Sequence, residues 1–255
     1  MRVIHIYYIM MENLHYANIS KYITIVIPTK NEEKYIQKTL EQISFQYGAA
    51  GIKIIIADAD STDKTVEICK NFSNKNHIDI EIIRGGLPAV GRNMGAKLVK
   101  TPYILFIDAD ITFTKRNAIQ LAFQKILNKK LWLLSTTPIY KGSFDWKARW
   151  MFTLNKLCTW YLSLVSPFAI GAFTLIKTDV FMKVGGYDER AMHSEDWLFS
   201  KDFLPNKFGI VYDLITQDNR RFKKYGYLNM IKLVWKNWKN RNNKNYFYEN
   251  INYWL

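Results

Sequence analysis

Cysteine is scarce in this sequence: only Cys69 and Cys158 occur among its 255 residues. Two cysteines are too few for a disulfide framework, and they do not have the spacing of a metal site. The sequence therefore excludes a small disulfide-stabilised scaffold, and we expect a reducing, cytoplasmic compartment.

Long apolar runs are also lacking. The most apolar stretch, residues 150–171, contains Asn155, Lys156 and Pro167. A membrane-spanning helix needs ~20 mostly apolar residues without a charge near its centre. The short apolar segment 1–11 is not followed by a small-residue cleavage site, which argues against a signal peptide and leaves Met1 or Met11 as the start.

Acidic residues are in the minority, with 22 Asp and Glu against 36 Lys and Arg, a net charge of +14. Such an excess favours an anionic partner: a phosphorylated substrate, nucleic acid or an anionic membrane surface. Because 49% of the residues are hydrophobic, the chain has enough apolar surface to fold, and disorder is excluded.

Strand and helix patterns alternate through the first 110 residues. Strands are predicted at residues 23–27, 52–57, 78–83 and 103–107, the first of them ending at Pro28. The helix between the first two opens within residues 29–33 and carries Ile36, Leu40 and Ile43 on one face; Ser61 or Thr62 caps the next. This alternation predicts an α/β fold with a mostly parallel central sheet flanked by helices. Later helices are predicted at residues 115–127, 147–164, 179–184 and 195–204, and later strands at 132–135 and 172–176.

Polar clusters follow the first, second and fourth predicted strands, at residues 29–32, 58–63 and 108–110. Ligands bind at the carboxyl ends of the strands in such sheets, so these clusters should converge on one site. In the last cluster, one residue separates Asp108 from Asp110, and their side chains diverge in extended geometry. One of them can then bind a ribose and the other Mg²⁺ or Mn²⁺. A solvated turn at the strand end is the alternative.

A glycine-rich segment, residues 84–96, lies between the third and fourth strands. Its glycines would let a ligand approach the backbone, and Arg92 offers a planar fork of donors to a diphosphate. The alternative is helix–sheet packing through Gly95 and Ala96. The segment matches neither the Walker pattern nor the dinucleotide fingerprint.

The ordered set of motifs resembles family 2 glycosyltransferases of the GT-A fold, in particular small non-processive members. The matching segments, from about residue 23 to 222, are residues 25–33, 58–65, 91–96, 103–110, 171–173, 185–189 and 194–197. In that family the corresponding positions hold a nucleotide sugar, a divalent cation and a catalytic base.

The resemblance implies a role for each matching residue. Pro28, Thr29, Glu32 and Asp58 would hold the base and ribose of the nucleotide. Asp108 would face the nucleoside and contribute to the metal site, and Asp110 would bind the metal that bridges the diphosphate. Asp196 would be the catalytic base, with Glu195 as its supporting partner; the alternative for this pair is acidic charge favoured at a helix start.

The sequence departs from the family pattern in two places. The second loop reads Asp58-Ala59-Asp60-Ser61, where many relatives have a second Asp and then Gly. Asp60 therefore stands in the place of that Gly and is expected in an unstrained turn or at positive φ. Residues 217–222 only approximate the Gln-x-x-Arg-Trp signature of processive polysaccharide synthases. Arg220 and Arg221 there resemble the Arg-Arg-Phe pattern of non-processive relatives and would close over the diphosphate; a solvated basic turn is the alternative.

Nearby residues receive other interpretations. His193 is interpreted as a surface hydrogen-bonding residue outside the metal set. Trp150, Trp160 and Tyr161 are interpreted as core packing, except at the mouth of the cleft.

The expected function is a metal-dependent, inverting glycosyltransferase. It would use Mn²⁺ or Mg²⁺ and transfer a sugar from a UDP- or GDP-sugar to a hydroxyl acceptor, either lipid-linked or a saccharide. A nucleotidyltransferase is a weaker alternative, because residues 28–32 lack the glycine-rich basic loop it needs. A nucleic-acid-binding protein is weaker still, because Asp residues occupy the sheet edge, so no nucleic-acid partner is expected.

Three segments are expected: an extension at 1–20, a GT-A domain at 21–224, and a basic aromatic tail at 225–255. The domain would have a nucleotide-binding half, 21–112, and an acceptor half, 113–224. In the tail, apolar residues recur at helical spacing among cations: Leu228, Ile231, Val234 or Trp235, and Trp238 alternate with Lys232, Lys236, Lys239 and Arg241. This pattern predicts either an interfacial helix on the anionic inner face of a membrane or a helix docked on the sheet. A lipid-linked acceptor would favour the first.

Overall fold

The computed structural model describes residues 18–76, 78–142, 145–217, 224 and 226–250. Within these ranges the strands are β1 Ile23–Thr29, β2 Lys53–Asp58, β3 Ile80–Arg84, β4 Tyr103–Ile107, β5 Thr112–Phe113, β6 Leu133–Tyr140, β7 Phe173–Lys177 and β8 Phe208–Gln217. The α-helices are α1 Ile36–Ser44, α2 Thr65–Asn76, α3 Pro88–Ala96, α4 Ala118–Asn128, α5 Trp146–Val165, α6 Thr178–Lys183, α7 Glu195–Ser200, α8 Tyr227–Lys239 and α9 Lys244–Tyr248. In this part of the chain, no helix combines the length and apolarity that crossing a bilayer requires.

The strands form one mixed sheet in the order β3-β2-β1-β4-β7-β6-β8-β5. The first four strands pair in parallel, as predicted. Beyond β4 the sheet turns antiparallel, because β7 runs against both β4 and β6, and β5 runs against β8. Only the β6–β8 pair in this half is parallel.

Alternate residues of the central strands enter two separate cores, one on each face of the sheet. Ile25, Ile54 and Leu105 pack in the core that contains α1 and α4. Val26 and Phe106 pack in the core that contains α3 and α6. Burial of both faces explains why these strands are almost continuously apolar.

The inward face predicted for α1 is confirmed, since Ile36, Leu40 and Ile43 are all fully buried. The strand before it does not end at Pro28, because Pro28 and Thr29 continue the parallel pairing with β2. The helix begins only at Ile36.

Side chains of the β2–α2 loop and of Thr65, the first residue of α2, explain this late start of α1. They accept hydrogen bonds from the backbone N–H groups of residues 31–33: the acceptors are Ser61 Oγ, Thr65 Oγ1 and Asp63 Oδ2. These N–H groups therefore have partners outside the helix. The predicted cap of α2 is wrong: Asp63 Oδ1, not Ser61 or Thr62, accepts the N–H of Thr65 at 2.9 Å.

The C-terminal helices pack against the rest of the chain near α7. Phe247 of α9 is fully buried with Ala191 and Leu198. The backbone N–H of Met192 donates to the carbonyl of Phe247 at 2.8 Å. Part of the predicted tail is thus integral to the fold around residues 191–198.

Candidate functional site

Asp58, at the carboxyl end of β2, is the centre of the first polar cluster. Its Oδ1 accepts hydrogen bonds from Thr29 Oγ1 at 2.9 Å and Ser61 Oγ at 2.6 Å, and its Oδ2 accepts the N–H of Ser61 at 2.8 Å. The carboxylate is buried, while Pro28 near the end of β1 and Glu32 in the loop that follows are half-buried. The first two predicted clusters therefore meet, as expected, and hydrogen bonds to Asp58 connect the end of β1 to the loop after β2.

Two residues in these loops have a left-handed backbone. Asp60 has a φ of 55°, which confirms the expectation of positive φ, and Asn31 also has a φ of 55°. The Asn31 side chain accepts the N–H of Thr62 at 2.8 Å. Lys30 Nζ donates to the carbonyls of Ala59 and Asp60 at 2.6 and 2.7 Å. Sequence reasoning did not identify Asn31 or Lys30, although an Asn beside a turn is a usable signal for positive φ.

The Asp108-Ala109-Asp110 turn directly follows β4, as predicted. Thr39 Oγ1 of α1 donates to the carbonyl of Ala109 at 2.7 Å and approaches that of Ile111 at 3.1 Å, which fixes the turn from the inside. Asp108 and Asp110 are both half-buried, and Asp108 borders the cavity described below.

Arg92 of α3 connects this turn to the acidic pair of α7. Its Nη2 donates to Asp108 Oδ1 at 2.9 Å and its Nη1 to Glu195 Oε1 at 2.5 Å. The guanidinium also lies over the Tyr187 ring, 5.4 Å from its centroid. The sequence predicts that this fork binds a diphosphate, but in the structure both terminal nitrogens are occupied by protein carboxylates.

Asp196 lies in the first turn of α7, beside the buried Glu195. Its Oδ2 accepts the N–H of Gly171 at 2.8 Å, and its Oδ1 accepts the N–H of Trp197 at 2.8 Å. Burial and then the charge of Glu195 raise the pKa of Asp196 to about 6. These two causes outweigh Arg92 and the two N–H donors, which act in the opposite direction.

Gly171 allows the segment before β7 to approach Arg92 closely. A Cβ at this position would lie 2.6 Å from Arg92 Nη2 and 3.5 Å from Asp196 Oδ2. The glycines of α3 act in packing: a Cβ on Gly95 would lie 2.4 Å from Val26 Cγ1. This contact supports the packing interpretation of Gly95.

The C-terminal helices hold the loop that carries Asp196. Asn237 of α8 donates to Ser194 Oγ at 2.8 Å, and Tyr246 Oη donates to Asn237 Oδ1 at 3.1 Å. His193 Nε2 donates to the carbonyl of Tyr246 at 3.1 Å, and burial lowers the pKa of His193. The prediction that His193 lies at the surface is wrong, because it is fully buried. Sequence reasoning missed Asn237 and Tyr246, for which no local motif exists.

These elements enclose a cavity of about 210 Å³. Asp108, Asp196 and Gly171 form its polar wall, and Met151 of α5 with Leu233 of α8 form its apolar wall. Cavities of about 370 and 520 Å³ lie elsewhere, but the smaller cavity is where the polar cluster after β4 and the acidic pair of α7 converge. We therefore place the candidate site there.

The donors at this site suit one mode of metal binding. Across the described ranges, no group of three or more His, Cys, Asp or Glu side chains is arranged to hold a metal ion. A dedicated all-protein metal site is therefore not formed by these residues. Mg²⁺ and Mn²⁺ also bind through one or two carboxylates together with phosphate oxygens of a substrate, and Asp108 and Asp110 fit that mode.

Other predicted residues have different outcomes. Arg220 and Arg221 lie outside the described residues. Trp150, Trp160 and Tyr161 are all more than half exposed, so the core-packing prediction for them is wrong. The apolar side chains of α5 occupy both its buried and its exposed faces.

The model of the glycosyl transferase family 2 matches residues 24–185, which is more than half of the chain and includes all three strand-end clusters and α3. This chain belongs to glycosyl transferase family 2. The resemblance expected from the sequence is thereby confirmed.

Among curated proteins, this family 2 chain is 26% identical over 219 residues to the glycosyltransferase GlyG of Streptococcus pneumoniae serotype 4, covering 79% of the chain and 72% of GlyG. It is 25% identical over 202 residues to the poly(ribitol-phosphate) β-N-acetylglucosaminyltransferase TarS of Staphylococcus aureus, covering 74% and 34%. The chain spans between 15% and 72% of the length of the first curated relatives it matches.

Solved structures confirm the GT-A fold of this family 2 chain. S. aureus TarS 1–349 in complex with UDP-GlcNAc matches with a TM-score of 0.60 at 20% identity, covering 78% of this chain and 59% of that one. The mannosyltransferase PcManGT of Pyrobaculum calidifontis, in complex with GDP-Man and Mn²⁺, matches with a TM-score of 0.65 at 16% identity, covering 83% and 64%.

Proposed function

We propose that this chain is a metal-dependent, inverting glycosyltransferase that moves a sugar from a nucleotide-sugar donor to an acceptor hydroxyl. The observation that carries the proposal is the bridge made by Arg92, which bonds to Asp108 on the nucleotide side and to Glu195 beside Asp196. Donor binding and proton removal would then take place in one cavity. Membership of the family supports the same reaction class.

The donor would be a UDP- or GDP-sugar, since the related solved structures contain UDP-GlcNAc or GDP-Man. Pro28, Thr29, Glu32 and Asp58 would hold its base and ribose. Asp58 would act mainly by keeping the two loops together, because its carboxylate already accepts bonds from Thr29 and Ser61.

Asp110, together with Asp108, would hold Mn²⁺ or Mg²⁺ against the donor diphosphate. When bound, the cation would offset the negative charge that develops on the leaving diphosphate. Arg92 would act as a positioning residue here, since its two Nη atoms fix the carboxylates of Asp108 and Glu195.

Asp196 would remove the acceptor proton in a single displacement. The acceptor oxygen forms a bond to the anomeric carbon, the bond from that carbon to the diphosphate oxygen breaks, and the nucleoside diphosphate leaves with the bonding electrons. The proton passes to Asp196, whose pKa of about 6 makes it an ionised but basic group at neutral pH. Displacement from the opposite side would invert the anomeric configuration.

The decisive experiment is a transfer assay with a panel of UDP- and GDP-sugars, with and without Mn²⁺ or Mg²⁺. Nucleoside diphosphate release that requires Asp196 supports the proposal. The control is Asp202→Asn, which changes an exposed carboxylate paired with its neighbour Lys201 and should leave the rate unchanged. Pyrophosphate release from a nucleoside triphosphate and a sugar phosphate would instead identify a nucleotidyltransferase. Tight, salt-dependent DNA binding without any sugar transfer would identify the nucleic-acid-binding alternative.

A further inference from the structure

Helix α5 presents an apolar stripe to solvent. Trp146, Trp150, Leu157, Trp160 and Tyr161 are between 54% and 64% exposed. Their spacing places all five on one side of the helix, whereas Ala148, Phe152 and Thr159 are buried. A helix of a globular protein normally turns its apolar stripe inward. In the described part of the chain, α5 has a second apolar stripe that remains exposed.

Helix α8 has the same property. Its inner residues Met230, Leu233 and Asn237 border the candidate site. The outer stripe predicted from the sequence remains exposed: Leu228, Ile231, Val234, Trp235 and Trp238 are between 39% and 73% exposed. Helix α8 therefore does dock on the rest of the chain, but through a different face from the apolar stripe that the sequence predicted to dock or to bind a membrane.

The two helices are neighbours at the cavity. Tyr227 Oη, at the start of α8, donates to Asp145 Oδ2, directly before α5, at 2.5 Å. Met151 of α5 and Leu233 of α8 both border the cavity. We call the exposed residues of α5 and α8 the aromatic face; it holds five of the eight tryptophans in the sequence.

The charged residues of α5 and α8 are all basic. Neither α5 nor α8 contains an Asp or Glu, while α8 alone contributes the exposed Lys232, Lys236 and Lys239. Lys239 Nζ lies 5.2 Å from the centroid of the Trp235 ring, and the guanidinium of Arg241 lies 4.9 Å from that of Trp238. One cation therefore lies near the ring of each of these two tryptophans.

We propose that the aromatic face binds the surface of an anionic phospholipid bilayer. Tryptophans are favoured at the boundary between headgroups and acyl chains, and interleaved lysines are attracted to anionic headgroups. A second copy of this chain is disfavoured as the occupant, because a symmetric pair would oppose one cationic face to another. The surface is independent of the catalytic proposal; if that proposal holds, a lipid-linked acceptor would reach the cavity beside α8.

The test is co-sedimentation of the full chain with vesicles of phosphatidylcholine alone or mixed with phosphatidylglycerol. We expect binding to the anionic vesicles at low salt, weakening as salt rises.

The substitutions Lys232→Gln, Lys236→Gln and Lys239→Gln together should weaken binding on the order of 100-fold, from roughly fivefold per lysine. The matched control, Lys97→Gln, Lys100→Gln and Lys129→Gln, removes the same charge from exposed positions elsewhere and should change binding about twofold or less.

Replacing Trp235 and Trp238 by Gln should also reduce vesicle binding, unlike Phe45→Gln with Leu204→Gln, which changes comparably exposed residues off the face. Quenching of tryptophan fluorescence by brominated phosphatidylglycerol tests the intact protein without any substitution.

Failure to bind anionic vesicles at low salt, absence of quenching, or equal losses in the lysine control would each overturn the proposal. Self-association abolished by the Trp substitutions, without vesicle binding, would identify a second copy as the occupant.

Discussion

Arg92 and Glu195 form an ion pair whose side chains are only 2% and 4% exposed, with Nη1 and Oε1 2.5 Å apart. The same guanidinium binds the half-buried Asp108. Helices α3 and α7, whose paired residues are 103 positions apart in the sequence, are therefore connected by a buried ion pair. Removing one partner of such a pair leaves the other charge buried and unpaired.

We predict that Arg92→Met destabilises the protein by about 3–5 kcal/mol, because Glu195 loses its counter-charge in the interior. Urea unfolding followed by circular dichroism measures the free energy of unfolding. Arg190→Gln is the control: Arg190 also pairs with a carboxylate, Asp188, but is largely exposed, so its loss should matter little. Equal stability of Arg92→Met and wild type would contradict a structural role for the pair.

The second prediction concerns pH and Asp196. If Asp196 is the base, kcat/KM should rise with pH and level off above about pH 6, the pKa of its carboxyl. Asp196→Asn should lower kcat by roughly 10²–10⁴ while leaving donor binding nearly intact. A variant with normal kcat and only a raised donor KM would assign Asp196 to binding instead.

The same raised pKa predicts a stability effect with a definite sign. Between the ordinary aspartate value of 3.8 and about 6, the folded state keeps the Asp196 proton that the unfolded state has lost. The contribution of this group to the free energy of unfolding should therefore fall as pH rises through that window and stay level above it. Comparing the pH dependence of unfolding for wild type and Asp196→Asn isolates this contribution.

The third prediction concerns the cation. Asp110→Asn should leave the fold intact, since the residue lies in a half-buried turn, but should abolish turnover that depends on Mn²⁺ or Mg²⁺. Asp79→Asn, an exposed carboxylate before β3, is the matched control and should retain activity. Undiminished wild-type activity in the presence of a chelator would rule out the metal role.

The fourth prediction concerns Gly171. In Gly171→Ala the added methyl would lie 2.6 Å from Arg92 Nη2, so either the guanidinium or the segment before β7 must move. We expect a destabilisation of about 1–3 kcal/mol and a reduced kcat, measured by urea unfolding and the transfer assay. Gly91→Ala places its methyl at an ordinary 3.4 Å from Ala57 and Pro28 and should be neutral or slightly stabilising. Equal effects of the two substitutions would contradict this explanation.

Local patterns were sufficient to predict the half of the sheet formed by β1 to β4. Its four strands are short, apolar and parallel, and the polar residues after β1 and β2 meet because parallel strands end at the same edge. The positive φ of Asp60 could also be predicted, since few other residues adopt it readily. The antiparallel placement of β7 between β4 and β6 could not, because it depends on pairings between distant segments.

The side-chain contacts of Arg92 and the exposure of α5 were beyond sequence reasoning for related reasons. The pattern around Arg92 shows a cation near a glycine-rich turn, but Glu195, its partner, is remote in sequence. An apolar stripe on α5 indicates that one face avoids water, yet a helix with aromatic residues on two faces does not reveal which one is covered. The burial of Phe152 and Thr159 in the structure shows which face of α5 is covered.

The anchoring of His193 by Tyr246 has a consequence for the order of events during synthesis. Tyr246 follows His193 by 53 positions, so a ribosome adding ~5–20 residues per second leaves the loop of Asp196 without this anchor for several seconds. The strands around Asp58 and Asp108 are already complete by then. A nascent chain would thus form the loops around Asp58 first and fix the position of Asp196 afterwards, when the final helices dock.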